Sequence, residues 1–403
     1  MTDLLLTGIG RLTTNAGESV ADAAVMVIDG KVSYAGPEGD APARAGADHI
    51  DCAGRAVIPG FVDAHTHLVF AGDRADEFAR RLAGASYSDI AAAGGGIVST
   101  VSATRAASED DLFRQAADRA LRMIAAGTTT VEIKSGYGLD LETELRLLRV
   151  ARRIGEELPI TVKTTFLGAH AVPPEHRHDR DRYLDLVVEE MLPAARPLAD
   201  YCDVFVEAGA FSVEEARRVL QAAAGLGLEA RVHAEQLSRS GGAALAAELG
   251  AASADHLDHA NVDDAVALAD AGVVAVLVPG ASYSLRSDQA PGPMLIEHGV
   301  TVALATDCNP GTSYFESMGL VISLAVVQMG LTVEQAVHAA TRGGAISLGL
   351  DDHGSIVPGA VGDLLILDAP SAAHIAYRPG TNLIWKTVKA GTVVTGSVVR
   401  GMG

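Results

Sequence analysis

The segment Val57-Ile58-Pro59-Gly60-Phe61-Val62-Asp63-Ala64-His65-Thr66-His67 decides the fold. Its apolar, β-branched run reads as one buried strand over 57–64. Side chains alternate along a strand, so residues two apart point the same way. His65 and His67 therefore project together from the strand end, a two-pronged imidazole grip suited to a divalent ion. A bare His-x-His is a weak signal. The strand, the Pro-Gly turn and further His and Asp candidates downstream give it weight.

Outward from that strand, the chain alternates between strands and amphipathic helices, the pattern of a parallel sheet. Eight strands are expected, at 57–64, 129–134, 160–167, 203–208, 229–233, 253–257, 273–278 and 300–305. Helical segments at 109–126, 141–157, 213–224 and 243–249 separate several of them. Eight such units match a TIM barrel. No Gly-x-Gly-x-x-Gly turn follows any strand, which weakens the alternative of an open doubly wound sheet. The longest connection, 68–108, is long enough to be a functional lid. Both ends of the chain have another texture, short strands separated by turns, with Asp29-Gly30 as a hairpin signal.

Composition bounds the function. The 403 residues carry a net charge of −20, which argues against nucleic acid or an anionic membrane as partner. An anionic substrate would need a locally placed arginine. Hydrophobic content of 48% and charged content of 20% fit a soluble globular protein. Three scattered cysteines, Cys52, Cys202 and Cys308, offer neither a disulfide framework nor a Cys-x-x-Cys grip, and a cytoplasmic location is expected. The first residues lack the pattern of a signal peptide, and no apolar run approaches the roughly 20 residues that span a bilayer.

TIM-barrel chemistry sits at the C-terminal ends of the strands. Those ends read His65 and His67, Lys134, His170, Glu207, His233, His256 and Asp307. So many ionisable groups at the ends of apolar strands must be paired or functional. Strands one, five and eight would supply His65, His67, His233 and Asp307 as metal donors. That leaves a coordination position for water, as catalytic sites do.

Longer strings carry a resemblance. They are His67-Leu68-Val69-Phe70-Ala71-Gly72-Asp73-Arg74, Glu132-Ile133-Lys134-Ser135-Gly136-Tyr137-Gly138, Phe166-Leu167-Gly168-Ala169-His170, His233-Ala234-Glu235-Gln236, Ser253-Ala254-Asp255-His256 and Thr306-Asp307-Cys308-Asn309-Pro310-Gly311-Thr312. Over essentially the whole length, the chain resembles the imidazolonepropionase family of the amidohydrolase superfamily. The resemblance implies a barrel over 57–352 and a small β-sandwich built from 1–56 and 353–403. It also implies one divalent metal per chain, zinc or iron, held by His65, His67, His233 and Asp307. His256 would orient or deprotonate the attacking water and, with Asp307, stabilise the developing oxyanion. The implied reaction is hydrolysis of the cyclic amide 4-imidazolone-5-propanoate to N-formimidoyl-L-glutamate, by a homodimer. Arg74 would grip the substrate's carboxylate tail, with Tyr87 and Tyr137 as hydroxyl donors. His170 and Gln236 would contact the ring, and Asn309, Gly311 and Thr312 would line the pocket. Lys134 and Glu207 are taken as hydrogen-bond or ion-pair partners rather than holders of a second metal.

One departure matters. Deaminases of the superfamily carry His-x-x-Glu after the fifth strand, where this chain has Gln236, which cannot titrate. That disfavours the alternative of an amino-heterocycle deaminase. An inactive scaffold would be expected to have lost metal donors, and all four positions are occupied.

Overall fold

The computed structural model describes residues 3–42, 46–84 and 95–394, and Tyr87 lies outside them. The N-terminal residues form β1 (Leu4–Leu12), β2 (Val20–Ile28), β3 (Lys31–Pro37), β4 (Asp48–Asp51) and β5 (Ala56–Pro59). The β2–β3 hairpin turns through Asp29 and Gly30, both at positive φ, as the Asp-Gly signal requires. Near the other end come β14 (Leu364–Leu367), β15 (Ile384–Lys389) and β16 (Thr392–Val393). These eight strands share one mixed sheet in the order β16-β15-β14-β5-β1-β2-β3, with β4 beside β1. Its own core includes Leu6, Ile9, Val25, Val57, Leu364 and Val388.

The second sheet is a nearly closed barrel of eight parallel strands that neighbour one another in chain order. They are β6 (Phe61–Asp63), β7 (Thr128–Lys134), β8 (Thr161–Ala169), β9 (Tyr201–Phe205), β10 (Glu229–Ala234), β11 (Ser253–His256), β12 (Val274–Leu277) and β13 (Val302–Leu304). The helices between them start on side-chain caps. Ser108 and Asp140 accept from the backbone N–H of Asp111 and Thr143, and Ser212 forms a capping box with Glu215. The connection after the first strand contains helices Ala75–Leu82 and Ile97–Ala106. No helix among the described residues is long and apolar enough to cross a membrane.

One expected strand divides in two. Residues 57–64 do not form a single strand: β5 pairs with β1 and β14 in the mixed sheet, whereas β6 pairs with β7 in the barrel. Pro59 has no N–H to continue a ladder. At Gly60 the chain passes from one sheet to the other so close to β7 that a Cβ would lie 2.3 Å from Thr129 Oγ1. The hydrophobic run reads as continuous because both halves are buried, each in its own sheet.

Among the described residues β6 and β13 share no ladder, and a side chain closes the seam between them. Asp63 Oδ1 accepts from Thr306 N at 2.9 Å and Oδ2 from Thr306 Oγ1 at 2.6 Å. Asp307 N donates to His65 O at 2.9 Å. Burial pushes the Asp63 carboxyl up to about 7, against the pull of its bonds from Thr306.

Candidate metal centre and substrate cavity

His65 and His67 leave the end of β6, and the intervening Thr66 is pinned to β7. Its Oγ1 donates to Glu132 O at 2.7 Å, and its carbonyl accepts from Lys134 N at 2.8 Å. Both histidines turn into the barrel mouth, their ring centroids 5.3 Å apart. His233 reaches them from β10, with its Nε2 3.3 Å from His67 Nε2. Asp307 arrives across the seam, with Oδ1 3.5 Å from both His65 Nε2 and His67 Nε2. His256 closes the group, its ring 5.2 Å from those of His65 and His233. Two overlapping donor sets result, His65–His67–His233 and His65–His256–Asp307, each with ligand atoms within 4.8 Å of one another.

Strained backbone aims these groups. His256 (φ 77°), Leu257 (φ 63°) and Asp307 (φ 59°) all occupy the left-handed region that non-glycine residues avoid. Such strain persists where the surroundings enforce it, commonly at functional sites.

The donor set suits a divalent metal. His65 Nε2 is buried with no hydrogen-bond partner among the described residues, though it faces Asp307. Burial holds His65 and His67 well below the usual imidazole range, so both are neutral, the form that ligates a cation. Burial likewise pushes the Asp307 carboxyl well above its usual range. A buried carboxyl beside two neutral imidazoles, with His233 3.3 Å from one of them, forms a donor set that suits a cation.

Behind the donors stands a charged layer of which sequence reasoning assigned only Lys134, as an ion-pair partner. Asp255 Oδ2 sits 2.5 Å from His65 Nδ1, and Asp203 Oδ2 sits 2.9 Å from His233 Nδ1. Each carboxylate fixes the far nitrogen of its ring, leaving Nε2 to face the centre. Lys134 joins them: its Nζ lies 2.8 Å from Asp203 Oδ2, 2.9 Å from Glu132 Oε1 and 3.3 Å from Asp255 Oδ2. Although burial opposes ionisation, His233 and Lys134 hold Asp203, and Arg231 and Lys134 hold Asp255, below the usual carboxylate range. A signal was present. Glu132 and Lys134, like Arg231 and His233, are charged or polar pairs two apart inside apolar strands, and so face the barrel interior together.

His67, His233, His256 and Asp307 line a cavity of about 630 Å³, shared with Arg74, Tyr137, His170, Gln236, Asn309, Gly311 and Thr312. Of the expected substrate contacts only Tyr87 falls outside the described residues. Arg74 packs so tightly on Gly311 that a Cβ there would lie 2.4 Å from its Nη1. Asn309 Oδ1 accepts from the N–H groups of Gly311 and Thr312, both at 2.8 Å, which shapes that turn. His170 stacks on His67 with centroids 5.0 Å apart, and its Nδ1 lies 2.9 Å from Gly136 O. The Gly136–Leu139 turn carrying Tyr137 wraps around buried Glu144, which accepts from the N–H groups of Gly136, Gly138 and Leu139. Glu144 is another group that sequence reasoning missed.

Glu207 lines the cavity but is committed to backbone: Oε2 accepts from Leu237 N and Ser238 N at 2.8 and 3.1 Å. Glu235 turns away from the cavity. Strand alternation does not cause this, because β10 ends at Ala234 and Glu235 has φ 55°. Its carboxylate accepts instead from the N–H groups of Ser240, Gly241 and Ala243, at the start of helix Gly242–Leu249. Gln236 is left on the cavity wall.

Comparison with known proteins agrees with this architecture. The model of the Amidohydrolase family matches residues 56–394. An imidazolonepropionase of Methylobacterium nodulans is 52% identical, over 92% of this chain and 94% of its own. One of Mycolicibacterium smegmatis is 48% identical over 98% of each chain. Among solved structures, a triazine hydrolase of Arthrobacter aurescens superposes with a TM-score of 0.73 at 17% identity, covering 98% of this chain and 94% of that one. A zinc-bound adenosine deaminase of Xanthomonas campestris gives 0.70 at 21%, covering 97% and 92%. At such identities these two structures speak for the fold alone. The sequence relatives go further, and the chain belongs to the amidohydrolase family and, within it, to the imidazolonepropionases.

Proposed function

We propose that the protein hydrolyses 4-imidazolone-5-propanoate to N-formimidoyl-L-glutamate, a step of histidine breakdown. One observation carries the reading beyond family membership. A single cavity is lined both by the donors His67, His233 and Asp307 and by the guanidinium of Arg74. It therefore offers a hydrolytic centre and a carboxylate seat to one small molecule. A divalent metal, zinc or iron, held by His65, His67, His233 and Asp307 would act as Lewis acid and activate water at neutral pH.

The chain's own residues do the rest. Arg74 orients the substrate through its tail. With the Nδ1 proton directed at Gly136 O, neutral His170 presents Nε2 as an acceptor for a ring N–H. Burial pulls its imidazole down to about 4, so it stays neutral through the physiological range. The Gln236 amide holds ring groups in register but transfers no proton. His256 and Asp307 take the proton from water and return it to the leaving nitrogen as the ring C–N bond breaks. The three cysteines are free and buried, in keeping with a reducing cytoplasm.

The test is incubation with synthetic imidazolonepropanoate. Ring absorbance should be lost with formimidoylglutamate as product and no ammonia. Gln236→Glu should retain ring opening, because a carboxylate still accepts a ring N–H. Ammonia released from an amino-heterocycle, with imidazolonepropanoate left intact, would promote the deaminase reading. Arg74→Ala should raise KM by about one to two decades, since a charge-assisted contact contributes about 1.5–3 kcal/mol. Lysine should rescue only part of this, lacking the planar fork.

A further inference from the structure

The carboxylate seat already holds a carboxylate. Arg74 Nε donates to Glu77 Oε2 at 2.9 Å and its Nη2 donates to Glu77 Oε1, a bidentate pair with both side chains only 14% exposed. Glu77 Oε2 also accepts from Gly96 N at 2.8 Å. A guanidinium paired in this way is electrically neutral to an approaching anion. In a chain of net charge −20, a neutral seat would not attract a ligand carboxylate.

Arg81 supplies the missing charge. It follows Glu77 by four residues on helix Ala75–Leu82, the spacing at which helical side chains meet. It lines the same cavity, and its Nη2 is buried with no hydrogen-bond partner among the described residues. A buried donor left unmade is costly, so the site is built to receive an acceptor there. The cavity's other carboxylates are engaged, Glu207 with backbone N–H groups and Asp307 with the donor cluster. Arg74, Arg81 and Glu77 together leave one positive charge open, which matches one ligand carboxylate.

We propose that Glu77 is a resident occupant of the substrate's carboxylate seat, which moves from Arg74 to Arg81 as the ligand's carboxylate takes the Arg74 fork. Arg81 is thus a specificity residue that acts through Glu77. The exchange conserves the number of ion pairs within the protein, Arg81–Glu77 replacing Arg74–Glu77, and adds one pair to the ligand. The inference rests on Arg74 being the tail's partner.

A double-mutant cycle tests it, with KM for imidazolonepropanoate and the inhibition constant of propanoate as readouts. Glu77→Gln removes the competing charge and keeps an acceptor for Gly96 N, so both constants should fall by about threefold or more. Arg81→Met should raise both by about tenfold in the wild-type background, but by less than about twofold when Glu77→Gln is present. A rise in KM for Glu77→Gln would mean that Glu77 only props Arg74, and would overturn the exchange. Equal costs of Arg81→Met in both backgrounds would mean direct contact with the ligand, and would overturn it too. If Arg74→Ala moves neither constant, the tail assignment itself fails. If Arg74→Ala raises both while Arg81 and Glu77 are uncoupled, only the exchange fails.

Discussion

With alanine in place of His65, His67 or Asp307, turnover of imidazolonepropanoate should fall at least about a thousandfold, equivalent to about 4 kcal/mol of transition-state stabilisation. Metal analysis of the same preparations should show the loss of an ion that the unaltered protein holds at about one equivalent. The three substitutions act alike because their ligand atoms converge: Asp307 Oδ1 stands 3.5 Å from each of the two Nε2 atoms. Asp255→Asn gives a graded control. It leaves every donor in place but weakens the hold on His65 Nδ1, so metal affinity should fall by about 10–100-fold. Full occupancy and near-normal turnover in any of the three alanine variants would remove that residue from the donor set.

The largest effect on stability is expected at Lys134. Its ammonium is fully buried among Glu132, Asp203 and Asp255, within 3.3 Å of each. Removing one member of a buried ionic cluster leaves uncompensated charge, at a cost of about 3–5 kcal/mol. Lys134→Met keeps most of the volume and none of the charge. For a chain of this size the melting temperature should drop by about 5 °C. Metal affinity should fall as well, because Asp203 and Asp255 would turn from their histidines toward Arg231, which already lies 3.7 Å from Asp255 Oδ1. A melting curve and metal content identical to those of the unaltered protein would show that Lys134 is dispensable.

Much of this site could be read along the chain because barrel strands deliver their last residues to one place. His65, His67, His233, His256 and Asp307 stand apart from apolar strands as isolated polar ends, and the barrel brings them together. Asp203, Asp255 and Glu132 were harder to read. They sit one or two residues inside their strands, where a charge looks like a surface-facing alternate until the barrel gives that face an interior. Glu144 and Glu77 lie on helices, where a glutamate is unremarkable in sequence, and their roles follow from backbone N–H groups and a guanidinium that only tertiary structure supplies. The division of residues 57–64 escaped reading for a related reason. Burial in two different sheets leaves the same hydrophobic trace as burial in one, and only Pro59-Gly60 marks the change.

The seam at Asp63 has a consequence for biosynthesis. Asp63 and Thr306 are 243 residues apart in sequence, and their contact joins the first barrel strand to the last. His65 and Asp307 flank that contact on either side. A chain emerging from the ribosome with seven barrel strands would own its histidines but lack Asp307 and the residue that brings it into place. Long-range closures of this kind come late in folding. Hydrolytic competence therefore cannot precede completion of the barrel, and acquisition of the metal centre serves as a chemical reporter that the last strand has docked.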